Sequence, residues 1–186
     1  MIYYVRHGQA IHNLGELFCE EDKEFSLTEK GFEQARETAK ALKDIKFDIC
    51  YCSPKRRTVQ TMEEIVKYHP GLKVVMDNRI VERMWGEASG LHISVCDVEP
   101  GRWHMDTKFP FEGIESVDDV FKRAKSFYDE ICDENKNILV VSHSGFGRVS
   151  YCYFHGFPKN RDLKDIVIKN SEVLKFEKVK ENDKTV

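Results

Sequence analysis

Apolar residues along this chain fall either in short unbroken runs or at spacings of three and four, a pattern that predicts buried strands alternating with amphipathic helices. Residues 1–6 (MIYYVR) read as a buried strand, and His7-Gly8 follows where that strand ends in a turn. After a polar loop to about residue 26, Ser26-Leu27-Thr28-Glu29 opens a helix with Phe32, Ala35, Ala39 and Leu42 on one face. Phe47–Cys52 is a second strand. Ser53-Pro54 then supply a cap and a proline for a helix carrying Arg56, Arg57, Gln60, Met62 and Ile65. Lys73–Met76 is a third strand.

Residues 77–115 lose this periodicity and gather Gly86, Gly90, Pro100, Gly101, Pro110 and Gly113. They read as an irregular insertion over the site, whose Trp85, Trp103, Phe109 and Phe111 either line an apolar pocket or bury the insertion itself. Ser116 to about Glu134 returns to helical spacing. Ile138–Ser142 is the most apolar strand and delivers His143-Ser144-Gly145 at its end, followed by a helix from about Phe146 to Phe154. Glu172–Val179 alternates like a final strand, with Lys180–Val186 as a frayed tail. The order predicts an α/β fold: a three-layer α/β/α sandwich on a mostly parallel sheet. No repeat or linker divides residues 1–186, which read as one domain.

Composition narrows the function. The 186 residues are 41% hydrophobic, enough for a core without staples. The 29 basic and 32 acidic residues are intermixed at a net charge of -3, so no basic face is expected and nucleic acid is not a predicted partner. The six cysteines form no CxxC pair, which argues against a zinc cluster or disulfide framework and for reduced, buried thiols. With no apolar run suited to a signal peptide or membrane span, a cytoplasmic protein without membrane partners is expected. His12, His69, His92, His104 and His155 have no metal-ligand spacing; they are assigned to surfaces or loops, and no metal or cofactor is predicted. Nothing marks the oligomeric state.

Ligands of open α/β sheets sit beyond the carboxyl ends of the strands, where this reading brings His7, Arg57 and His143 to one mouth. Arg57 also lies in the first turn of its helix, where free N–H groups and the dipole favour an anion. Two arginines and two histidines suit a tetrahedral dianion. Each has a plain structural explanation alone, but an Arg-His-Gly turn, a Ser-His-Ser-Gly turn and a helix-leading arginine serve no common packing purpose.

The chain resembles the histidine phosphatase superfamily, the phosphoglycerate mutase-like proteins, over nearly its whole length. Arg6-His7-Gly8-Gln9 with Asn13 resembles the RHG signature, and Leu27-Thr28-Glu29-Lys30-Gly31 with Gln34-Ala35 resembles the first helix. Ser53–Thr61 resembles the segment whose arginine, four residues before Thr61, binds phosphate, which selects Arg57 over Arg56. Glu82 with Gly86 and Gly90 resembles the acid-bearing ExxxGxxxG stretch, and Val141–Gly145 the second histidine motif.

The resemblance implies a metal-independent phosphomonoester hydrolase acting on a small phosphorylated substrate. His7 is then the nucleophile, with Arg6, Arg57 and His143 around the phosphoryl oxygens and Glu82 as acid and then base. Asn13, Gln9 and the Ser144 amide are the further candidates for phosphate contact. Two alternatives stand. A cofactor-dependent phosphoglycerate mutase uses the same intermediate, but Met84 and Trp85 occupy positions where those enzymes carry histidine and tyrosine. A non-catalytic phospho-ligand-binding module would lack a nucleophile, arginine or acid, and all are present. The insertion holds no motif that reads as a recognition code, leaving sugar phosphates, phosphoglycerate, nucleotide-derived phosphates and phosphopeptides open.

Overall fold

A computed structural model describes residues 1–18, 25–132 and 135–177. Its sheet consists of β1 (Ile2–Arg6), β2 (Ile49–Cys52), β3 (Val74–Met76), β4 (Ile138–Ser142) and β5 (Val173–Phe176), in the order β3-β2-β4-β1-β5. β1 pairs parallel with β4, and β2 pairs parallel with β4 and β3; β5 runs antiparallel along β1. The helices are α1 (Ile11–Leu14), α2 (Glu29–Leu42), α3 (Arg56–Val66), α4 (Val117–Ile131) and α5 (Ser144–His155).

Strand alternation divides the core in two. Ile2, Tyr4, Ile138 and Val140 face a cluster completed by Val120, Phe127, Phe146 and Val149 of α4 and α5. Val5, Leu139 and Val141 face the opposite cluster, with Ala39, Leu42, Met62 and Ile65 of α2 and α3. β4 is buried at every position because helices cover both sides, which is why it reads as a continuous apolar run. The three-layer, mostly parallel architecture is as expected.

The differences are local. The loop after β1 contains α1, whose four residues are too few to show a periodic signal. Helix α3 starts at Arg56 with Lys55 at its cap position and no side-chain cap bond, so Ser53 is not the cap. Helix α5 starts at Ser144, two residues earlier than the apolar pattern suggests, and β5 stops at Phe176. The expected ends of helix α4 at Glu134 and of the final strand at Val179, and the tail 180–186, lie outside the described residues.

The 77–115 insertion is irregular but filled. It carries three short 3-10 turns, and Trp85, Ala88 and Cys96 form a satellite core with Phe18. Trp85 stacks on Phe18 at 3.9 Å, and the Arg83 guanidinium lies 4.7 to 5.2 Å from the rings of Trp85, Trp103 and Phe109. Of the two roles open to these aromatics, packing accounts for their observed contacts. No helix among the described residues is long and apolar enough to cross a membrane.

Candidate active site

β1 and β4 are neighbours in parallel register, with Arg6 paired to Ser142, so the residues that follow them, His7 and His143, emerge side by side. Their ring centroids are 5.2 Å apart and both side chains are buried. Arg57, equally buried, comes up from the first turn of α3 and bridges them. Its Nε donates to His7 Nε2 at 3.2 Å, and its Nη2 lies 3.0 Å from His143 Nδ1.

These contacts fix both tautomers. His7 Nδ1 is 2.7 Å from the Gly8 carbonyl, which can only accept, so Nδ1 carries the proton and Nε2 presents a lone pair. A guanidinium can only donate, so His143 Nδ1 accepts from Arg57 and His143 Nε2–H donates to Ser53 Oγ at 2.8 Å. Burial first, and then the charge of Arg57, hold the proton affinities of both rings well below the ordinary histidine range.

The surrounding turns are pinned from several elements. Thr61 Oγ1 accepts the Gly8 N–H at 3.1 Å and donates to the Arg57 carbonyl at 2.8 Å, tying the first turn to α3. Gly8 passes so close to Gly31 of α2 that a Cβ on either would collide with the other segment's backbone. Tyr4 Oη donates to the His143 carbonyl beneath. Arg6 Nη1 donates to the Ile168 carbonyl at 2.7 Å, and burial lowers the Arg6 pKa despite the opposing charge of Glu82. The Arg6 and His7 carbonyls receive the Ser171 N–H, and His7 O also receives Asn170 Nδ2 at 3.1 Å.

Glu82 reaches the same mouth from the insertion. Its Oε1 accepts the Gly145 N–H at 2.8 Å and the Arg83 N–H at 2.9 Å. Its backbone is held by Arg123 of α4, which donates to the carbonyls of Arg79, Val81 and Glu82 at 2.6, 2.8 and 3.1 Å. Arg123 is in turn paired with Glu115 at 2.7 and 2.9 Å.

The remaining candidates divide. Ser144 opens α5, but the amide with an observed side-chain partner is that of Gly145. The Gln9 side chain accepts from Thr28 Oγ1 at 3.0 Å, a bond that secures its loop to α2. Asn13 accepts the Ala10 N–H at 2.9 Å and places Nδ2 3.0 Å from His12 Nε2. His12 corrects the surface assignment: it is buried, with its ring 6.0 Å from that of His7. Burial and the charges of Arg57 and Arg6 lower its pKa to about 3. One turn of α1 folds it inward, and so short a helix has no sequence periodicity to reveal the fact. Ser53, Arg123 and Asn170 also escaped the sequence reading; Ser53 lay within a recognised motif, whereas the other two act through contacts remote in sequence.

Among the described residues no group of three or more His, Cys, Asp or Glu side chains is arranged to hold a metal ion. The polar atoms gathered near His7 are instead donors. Arg6 Nε, Arg57 Nη1 and His12 Nδ1 are buried without a hydrogen-bond partner. Such atoms are costly unless something pairs with them, and a chemistry of guanidinium and imidazole donors suits an oxyanion.

The fold agrees with the comparison to known proteins. The model of the histidine phosphatase superfamily, branch 1, matches residues 2–184, and the chain belongs to that family. A phosphoserine phosphatase 1 of Hydrogenobacter thermophilus is 34% identical over 137 residues, covering 70% of this chain and 64% of its own. A 2,3-bisphosphoglycerate-dependent phosphoglycerate mutase of Brucella melitensis is 30% identical over 173 residues, covering 86% of this chain and 84% of its own. Among solved structures, a mycobacterial glucosyl-3-phosphoglycerate phosphatase in complex with VO3 superimposes with a TM-score of 0.78 at 24% identity, covering 92% of this chain and 88% of its own. That likeness concerns the fold alone.

Proposed function

We propose that this chain is a phosphomonoester hydrolase of one domain that acts without a metal ion, through a phosphohistidine on His7, on a small phosphorylated metabolite. The observation that carries this reading is the state of His7: Nδ1–H is committed to the Gly8 carbonyl, and Nε2 keeps its lone pair beside a buried guanidinium. A neutral imidazole held in this tautomer is a prepared nucleophile.

In the first half-reaction Nε2 attacks phosphorus while the bond to the ester oxygen breaks, and the Glu82 carboxyl passes its proton to the departing alkoxide. In the second, Glu82 takes a proton from water, whose oxygen attacks phosphorus as the P–N bond breaks and orthophosphate leaves. Arg57 shifts its hydrogen bonds from the imidazoles to the phosphoryl oxygens, joined by Arg6. His143 takes up a proton as the dianion arrives and becomes a further donor. Asn13 and the Ser144 amide remain neutral candidates at the rim. The relatives named as phosphatases support hydrolysis of a small ester. The buried free thiols Cys50, Cys52 and Cys152, all pushed up in pKa by burial, support residence in a reducing cytoplasm.

Acid-quenched labelling with a phosphate-labelled substrate tests this mechanism. Wild type should give acid-labile label, His7→Ala none, and Glu82→Gln slow turnover with trappable phosphoenzyme. Acid-stable label, or label that survives in His7→Ala, rules out the histidine nucleophile.

A further inference from the structure

We propose that His12 is a substrate-binding residue, whose Nδ1–H gives a hydrogen bond to the phosphoryl group held at His7. This rests on the reading that phosphate occupies the His7 site, and it adds a donor that the motifs do not assign.

The argument begins with Asn13. Its Oδ1 accepts the Ala10 N–H at 2.9 Å and lies 3.5 Å from Asn170 Nδ2, a second donor, so the oxygen end of the amide is identified by its surroundings. The end facing His12 Nε2 at 3.0 Å is therefore the NH2 group, and His12 Nε2 accepts. In a neutral imidazole the proton then resides on Nδ1. That N–H is buried and has no partner, in a residue only 7% exposed. The low proton affinity of the ring agrees with a neutral donor rather than a cation.

Two other buried donors lack a partner nearby. Arg57 Nη1 belongs to the guanidinium bonded to His7, and Arg6 Nε to the residue preceding it. Both guanidiniums act electrostatically on His12, and the rings of His12 and His7 are 6.0 Å apart. One tetrahedral anion at His7 Nε2 has oxygens enough to pair with all three. A histidine serving only the core would have both nitrogens paired, or its bare nitrogen facing carbon without a proton. Asn13 dictates the opposite tautomer, so its role includes orienting His12.

The test uses inorganic phosphate as the probe, with binding measured by calorimetry and by competitive inhibition of p-nitrophenyl phosphate hydrolysis. In His12→Asn the amide lies where Nδ1 was and keeps a donor there; in His12→Gln it reaches only the Nε2 position; His12→Phe keeps a ring without a donor. Phosphate affinity should fall about tenfold or more in His12→Phe and His12→Gln, the worth of one hydrogen bond to a charged group, and recover substantially in His12→Asn. Wild-type affinity in a folded His12→Phe, or His12→Gln binding better than His12→Asn, overturns the assignment while leaving the hydrolase reading intact. Wild type that fails to bind phosphate brings down both. Nitrogen-15 NMR of the unaltered enzyme guards against misfolded variants: the His12 Nδ1 proton should move downfield when phosphate is added, and an unmoved signal in phosphate-saturated enzyme refutes the proposal.

Discussion

Glu82 and Gly145 are joined by a 2.8 Å hydrogen bond between carboxylate and backbone amide, although 63 residues separate them in sequence. The amide is the second of helix α5, where the dipole adds to the hold. A methyl group on residue 145 would collide with Glu82 Oε1 and sit 3.0 Å from Trp103 and 3.3 Å from the Arg83 Cβ. Gly145→Ala should therefore displace the carboxylate, cutting kcat tenfold or more, while overpacking costs about 1–3 kcal/mol of stability. Steady-state kinetics with thermal melts check this. A wild-type kcat would show that Glu82 needs no such support.

Arg123 holds the other end of Glu82, its backbone, and should behave as a positioning residue. Lysine keeps the charge but cannot span three carbonyls while remaining paired with Glu115. Arg123→Lys should lose about 2 kcal/mol in urea unfolding, the order of a disrupted buried polar network. It should lower kcat much more than it changes KM, since the phosphate donors stay in place. An unchanged kcat at full occupancy would separate Arg123 from the chemistry.

The histidine cluster makes folding pH-dependent in a defined direction. His7, His12 and His143 stay neutral in the fold because burial, then Arg57, lowers their pKa values, that of His12 to about 3. Unfolded, each titrates near ~6.5, so on acidification the unfolded chain binds protons that the folded chain refuses. The stability due to the neutral state is full above that value and erodes below it, at up to about 1.4 kcal/mol per pH unit for each histidine. Urea midpoints should fall between pH 7 and pH 5, and His12→Asn should flatten the slope. Equal midpoints at both pH values would contradict buried neutral imidazoles.

Water, not a second substrate hydroxyl, should accept the phosphoryl group. A mutase must hold the far end of its substrate, yet the insertion's arginines are occupied: Arg79 by Asp77 and Glu130, Arg102 by Asp97, Arg83 by backbone carbonyls and aromatic rings. Trp85, at a position where mutases differ, is used in packing. Incubation with 3-phosphoglycerate and a trace of the 2,3-bisphosphate should release free phosphate faster than it forms 2-phosphoglycerate. Isomerisation outrunning phosphate release would reverse the assignment.

How far these features were legible depended on their range in sequence. Strands β1 and β4 and helices α2 and α4 announce themselves because burial on one or two faces imposes a period over five to fifteen residues. His7, Arg57 and His143 were legible because each ends or begins such an element. Ser53 looked like a helix cap by local spacing, but its hydroxyl meets His143 90 residues away, and local rules carry no information about that partner. His12 was misplaced for the same reason, being turned inward by a single helical turn. Within 77–115 the aromatic content was plain, but which rings would close around Arg83 depended on packing that no period encodes.

Residues 168–171 cap the carboxyl end of β1: Ile168 receives the Arg6 guanidinium, Asn170 and Ser171 bind the His7 carbonyl, and Ser171 adopts a left-handed backbone to do so, with φ of 58°. The turn that carries His7 is thus held by residues synthesised some 160 positions later. A nascent chain can assemble most of the sheet and both helical layers while its histidine still lacks its backbone clamp. The clamp on the His7 carbonyl consequently closes only when this distant segment has docked.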